Sequence, residues 1–241
     1  MIVIVKKNNI VLIALFFLLC IALYSLNLGN QHSASANTVR STEKVVMIDP
    51  GHGGEDPGAV SDYNGIKEKD INLGIASYLR ELLEQDGYKV IMTREEDKLE
   101  YEPGTRNIIQ KRKQDLLRRK KMMDEGGANI VVSIHLNKFP QTQYFGAQTF
   151  FPPNSPESQK LAHSIQMSIR EMVDPQNKRE ALVKKEPIII LKNNKTTTAI
   201  VECGFLSNPE EEKKLGSTQY QQNLSAAIKK GIDAYFASKI N

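Results

Sequence analysis

Apolar and polar positions alternate along this chain between two periods. Val45–Ile48 is a short apolar run that ends in Asp-Pro-Gly, the pattern of a buried strand entering a turn. From Asp70 to Asp86 the spacing becomes helical, with Ile71, Ile75, Leu79 and Leu82 on one stripe and Gly87 as the stop. Tyr88–Thr93 reads as a second strand, and polar Arg94–Gly104 as a loop. Thr105–Glu125 is a highly charged helix with a weak apolar face, stopped by Gly126–Gly127. Asn129–His135 and Gly146–Phe151 are further strands. Ser155–Val173 is a helix with Leu161, Ile165, Ile169 and Met172 on one side. Pro187–Leu191 and Thr197–Glu202 complete the strands, and Leu215–Lys239 closes the chain as a helix carrying Leu224, Ile228, Ile232 and Tyr235. Strands alternating with helices predict a single α/β domain, with a mainly parallel or mixed central sheet of about six strands and helices on both faces.

The first residues follow a different rule. Lys6–Lys7 precede Ile10–Leu26, an almost wholly apolar run of roughly 17 residues, at the border between a signal peptide and a membrane anchor. Ala34–Ser35–Ala36 resembles a cleavage site but is distant from that run, which favours an uncleaved anchor. The chain therefore divides into residues 1–27, a signal peptide or N-terminal membrane anchor; a polar linker, 28–43; and a folded domain, 44–241. Either form of the leader carries the domain out of the cytoplasm, and an anchor would add membrane contact.

Charge excludes one class of partner. The net charge is +4, and setting aside residues 1–36, with their two lysines and no acid, leaves 30 basic against 28 acidic residues. That balance, without aromatic-basic interleaving, argues against nucleic acid. The basic runs Lys111–Lys113 and Arg118–Lys121 read as a solvated helix face. Of two cysteines, Cys20 lies in the leader, so Cys203 has no partner in the domain and reads as a small buried hydrophobe.

Candidate chemistry sits where open α/β sheets gather ligands, beyond the carboxyl ends of strands. His52 follows the first strand, Glu68 opens the first long helix, His135 ends the third strand, and Glu202 ends the last. Each alone has a plain structural reading. Glu68 could complement a helix dipole, and a lone histidine is usually a satisfied polar residue. Glu202 is harder to dismiss, because an unpaired buried carboxylate is costly. Together, two imidazoles and one carboxylate make a three-ligand zinc site, with a second carboxylate as acid/base for amide hydrolysis. Histidines favour zinc over magnesium or calcium. Spacing leaves Glu55 or Asp56 as alternatives to Glu68, since His52–Glu55 is an H-x-x-E pattern. Gly51, Gly53 and Gly54 allow the sharp turn that aims His52. His32 lies in the linker and His163 off the apolar stripe of its helix, as a surface residue.

At these residues the chain resembles the zinc-dependent N-acetylmuramoyl-L-alanine amidases of the Amidase-3 family. The matching blocks are "MIDPGHGGEDPGAV", "KEKDINLGIASYLRELLEQDGYKVIMTREED", "ANIVVSIHLN", "AIVECGFLSNPEE" and "AAIKKGIDAYF", spanning about Val45 to Phe236. The resemblance implies one zinc ion on His52, Glu68 and His135, which sets Glu68 over Glu55, and a catalytic Glu202. It implies peptidoglycan as substrate, cut at the amide joining the lactyl group of N-acetylmuramic acid to L-alanine of the stem peptide. The simple domain and the "VECGFLSN" ending look most like the germination-type branch, whose action helps create muramic-δ-lactam in spore cortex. Leu136, Thr196–Thr198, Cys203 and the Lys178–Lys185 stretch depart from the common pattern and bear on the groove walls rather than the ligands. No insertion resembles an autoinhibitory helix, and a regulatory protein partner is compatible with the sequence, which specifies no oligomeric state. The alternatives are a zinc peptidase or carboxypeptidase on a related scaffold, and a non-catalytic peptidoglycan-binding protein.

Overall fold

The first apolar run becomes strand β1, Val45–Pro50, the second strand in from one edge of a six-stranded mixed sheet. The structure is a computed structural model that describes residues 43–185 and 188–239. The leader and nearly all of the linker lie outside the described residues. In chain order the other elements are α1 (Glu68–Gln85), β2 (Lys89–Met92), α2 (Ile108–Glu125), β3 (Ile130–Asn137), β4 (Gln148–Phe151), α3 (Pro156–Met172), β5 (Leu182–Val183), β6 (Thr197–Phe205), α4 (Pro209–Leu215) and α5 (Thr218–Ala237). The sheet order is β2-β1-β3-β6-β4-β5. β1, β2, β3 and β6 run parallel; β4 pairs antiparallel to β6, and β5 runs with β4. Among the described residues, no helix is long and apolar enough to cross a membrane.

Period-two alternation gives the sheet two unlike faces. Val46, Ile48, Ile130, Val132, Ile134, Ala199 and Val201 face the larger core, which α1, α3 and α5 cover. On the other face Met47, Val131 and Ile200 pack against Met123 of α2 and against Ile190 and Leu191. One step further along each strand, that second face changes from apolar to polar. Asp49, Ser133, His135, Gln148 and Glu202 follow there in register. The polar half of this face carries the candidate site.

Four expectations need correction. The α1 stripe continues Ile71, Ile75, Leu79, Leu83, with Leu82 only partly buried, because steps of four keep closest to one side of the helix. The run expected as a strand at Pro187–Leu191 instead forms a single 3-10 turn at Ile189–Leu191, with Pro187 outside the described residues; the sixth strand is Leu182–Val183. An apolar run this short buries equally well either way. The closing helix starts at Thr218 rather than Leu215, which instead ends a separate helix, α4; Asn208 caps α4 and Ser217 caps α5. The basic run of α2 is not simply solvated. Lys113 and Lys121 are exposed, but Lys111, Asp115, Arg119 and Met123 form the buried stripe.

Candidate metal centre

β1 hands its backbone to a turn that two arginines hold. Arg94 donates from Nε to the Pro50 carbonyl at 2.9 Å and from Nη2 to that of Gly51 at 3.1 Å. Arg119 donates to the Pro50 carbonyl at 2.6 Å and to that of His52 at 2.8 Å. Three successive carbonyls therefore meet two buried guanidinium groups. His52 itself takes a left-handed φ of 63°, uncommon for a residue with a Cβ. Its Nδ1 lies 2.8 Å from Asp56 Oδ2, which leaves Nε2 turned to Glu68 Oε1 at 3.3 Å.

Glu68 opens α1, and its carboxylate is buried. Oε2 accepts from the Ala59 amide at 2.7 Å, and Oε1 from the Leu136 amide at 3.0 Å. Asn72, one turn on, donates to Oε1 at 3.3 Å. His135 Nδ1 lies 3.0 Å from the same oxygen. The two imidazole rings meet edge to face with centroids 5.0 Å apart. One ligand atom from each of His52, Glu68 and His135 lies within 4.8 Å of the others, close enough to share one ion. Two nitrogens and one carboxylate oxygen suit zinc with an open fourth position, and Asp56 supplies the hydrogen bond that ligating histidines usually make through their other nitrogen.

Electrostatics favour a cation here. Burial alone would raise Glu68, but both histidines hold its carboxyl far below the usual range. Burial alone would lower His52, yet Asp56 and Glu68 raise it to about 9. A ring held this firmly between two carboxylates is one from which a divalent ion displaces a proton.

Glu202 faces the same space from β6, directly opposite His135 in the strand register and with Gln148 on its other side. It is 8% exposed, and its Oε2 is buried without a hydrogen-bond partner. Lys184 Nζ stands 3.8 Å from Oε1. Burial raises the carboxyl above its ordinary range, with Glu68 adding to the rise and His135 and Lys184 opposing it. An unsatisfied buried carboxylate oxygen is costly to fold, so its presence in a cleft points to use.

The residues set aside by the sequence have other partners. Glu55 is exposed and paired with Lys111 at 2.7 Å, while Asp56 supports His52. Cys203 is buried, and burial pushes its thiol far up, which suits a packing residue. His163 is half-buried near Phe151. Sequence reasoning missed Arg94, Arg119 and Asn72. The only available signal was the four-residue step Lys111, Asp115, Arg119, Met123 in a helix otherwise lacking an inward face.

A family model described as N-acetylmuramoyl-L-alanine amidase matches residues 46–234. The germination-specific N-acetylmuramoyl-L-alanine amidase of Bacillus subtilis (strain 168) is 33% identical over 97% of this chain and 97% of its own. Among solved structures, the CwlD amidase from Clostridioides difficile, in complex with the GerS lipoprotein, is 42% identical with a TM-score of 0.79, covering 81% of this chain and 100% of that one. An N-acetylmuramoyl-L-alanine amidase from Clostridium difficile 630 is 30% identical with a TM-score of 0.71, covering 83% and 100%. The match runs through every strand and helix that builds the site, and the chain belongs to the Amidase-3 family of N-acetylmuramoyl-L-alanine amidases.

Proposed function

We propose that this amidase is zinc-dependent, with His52, Glu68 and His135 as ligands and Glu202 as the catalytic acid/base. The carrying observation is that three ligand atoms lie within 4.8 Å of one another while an unpartnered carboxylate oxygen faces the same cleft. Bound zinc would supply Lewis acidity, lowering the pKa of a water to about 7 and polarising the amide carbonyl. Glu202 takes the proton of the attacking water and returns it to the leaving nitrogen of L-alanine. Its raised affinity for a proton suits both halves of that transfer. Asp56 holds His52 in the tautomer that frees Nε2.

The bond cut is the lactyl amide between N-acetylmuramic acid and L-alanine of the stem peptide. Similarity to a germination-specific relative supports spore cortex as the setting and a step in muramic-δ-lactam formation as the role. The substrate and the apolar leader support an exported domain, secreted or anchored. The CwlD relative was solved with a lipoprotein, which supports a regulatory protein partner here too. Digestion of purified cortex and vegetative peptidoglycan tests the reading. Free stem peptides beginning with L-alanine are expected; cleavage inside the peptide would indicate a peptidase instead.

Metal loading gives a separate test. His52→Ala and His135→Ala should each weaken zinc affinity by at least about 100-fold, as two donors make a poor mononuclear site. Zinc uptake by the wild-type protein at pH 7 should release protons, because His52 must lose one. Calorimetry in buffers of different ionisation enthalpy reads the release, and full metal occupancy in both variants would refute the ligand set.

Backbone approach supplies another. A Cβ at Gly51 would fall 2.2 Å from Cε1 of His135, and one at Gly58 2.5 Å from Glu68 Oε2. Gly51→Ala should therefore push the His135 ring aside and lower zinc affinity about tenfold or more, the cost of misplacing one ligand. A chelator competition titration measures it, and unchanged affinity would show that the ring has room.

A further inference from the structure

Four aromatic rings are exposed among the described residues: Tyr63 (48%), Phe139 (43%), Tyr144 (40%) and Phe145 (53%). All four lie in loops at the end of the sheet that carries the metal centre. The Tyr63 hydroxyl donates to the Ser207 carbonyl at 3.1 Å, and the Phe139 amide to the Ser207 hydroxyl at 3.2 Å. Phe139 meets Tyr144 edge to face at 5.4 Å, and both rings rest on Phe205, at 5.3 and 6.1 Å. Scattered exposed apolar residues need no explanation, but a contiguous patch marks a binding surface.

The patch borders a cavity of about 520 Å³, a volume usual for small ligands, where Tyr144 and Phe145 face Gln143, Gln176 and Arg179. Arg179 connects this cavity to the reaction centre. Its guanidinium stacks on Phe205 at 4.6 Å, donates to the Phe145 carbonyl at 2.7 Å, and donates to Gln148 Oε1 at 3.0 Å. Gln148 is the cross-strand neighbour of Glu202. One residue, Gln148, therefore stands between the cavity wall and Glu202.

We propose that this aromatic and amide-lined surface binds the saccharide chain of the substrate, seating pyranose rings beside the N-acetylmuramic acid whose amide is cut. The proposal rests on the amidase reading and extends it from the bond to the polymer. The scissile amide hangs from a sugar, so neighbouring sugars must cross the surface next to Glu202. Pyranoses present polarised C–H groups on one face, which the negative face of an aromatic ring attracts, and hydroxyl and N-acetyl groups at the edge, which amides and a guanidinium can bond. A purely apolar protein partner would have no use for the amides of Gln143 and Gln176 or for the guanidinium beside them.

The test uses Tyr144→Ala, Phe145→Ala and the double variant of the full chain. Peptide-free glycan chains should bind the zinc-loaded wild type, and the double variant should bind them about tenfold more weakly, equivalent to about 1.4 kcal/mol. KM on polymeric peptidoglycan should rise by about the same factor with kcat unchanged, while turnover of a single-sugar muramoyl peptide should stay constant. Unchanged glycan affinity would overturn the proposal. So would an equal loss on polymer and single-sugar substrate, or loss of a protein partner with glycan binding intact. Glycan binding needs no turnover, so it judges this surface independently of whether the amide is cleaved.

Discussion

Glu202→Gln should lower kcat on muramoyl-L-alanine substrates by about 10²–10⁴-fold while leaving the zinc content unchanged, the range expected for loss of a general acid–base. The substitution keeps the shape and removes the proton acceptor. It also removes a buried negative charge that lacks a full set of partners, so the variant should be at least as stable as the wild type. Loss of turnover with gain or retention of stability is the signature of a group kept for chemistry. Glu202→Asp should recover only part of the rate, because the shorter side chain draws the carboxylate back toward β6. Single-turnover rates and metal analysis on the same samples check both points. Full turnover by the zinc-loaded glutamine variant would remove Glu202 from the reaction.

The four-residue set is legible in the sequence because each member breaks a pattern at a strand or helix end. His135 and Glu202 interrupt β-branched runs, His52 follows a strand into glycines, and Glu68 opens an amphipathic helix. Parallel strands bring such ends together whatever their separation in the chain. The rest of the site is illegible for an equally physical reason. Arg119 lies in a helix so rich in lysine and arginine that a buried guanidinium looks like its solvated neighbours. Only tertiary contact with Asp49 and the Pro50 and His52 carbonyls distinguishes it. The same limit explains the fold. Long periodic elements such as α1 and α3 form where the pattern places them. Two-residue β5 and the 3-10 turn at Ile189–Leu191 depend on what lies beneath them, which a short apolar run does not encode.

Arg119→Met should destabilise the domain by about 3–5 kcal/mol, the cost of breaking a buried ion pair by removing one partner. Arg119 is 2% exposed and donates to Asp49 at 2.9 Å and to Asp115 at 2.6 Å. Without it Asp49 is left buried with only the Thr93 and Ser133 hydroxyls, Asp115 keeps Arg118 as its one cation, and the His52 carbonyl loses its donor. Burial pushes Asp49 up, but Arg119, Thr93, His135 and Ser133 together outweigh it and hold the carboxyl at about 2, below its ordinary 3.8. A carboxyl lowered by folding stabilises fully above its unfolded value and loses that contribution as pH falls through the folded one. Wild-type stability should therefore decline between about pH 4 and pH 2, and the decline should shrink or reverse in Arg119→Met, where burial of Asp49 is no longer offset by the guanidinium. Urea unfolding from pH 2 to pH 7 reads both effects. Adding Asp49→Asn to Arg119→Met should restore part of the loss, since it removes one stranded charge. A residual cost confined to metal affinity would then isolate the second role of Arg119, holding the backbone that presents His52 to the ion. If Arg119→Met unfolded within about 1 kcal/mol of the wild type, the span of an exposed pair, the network would be no more than surface charge folded inward.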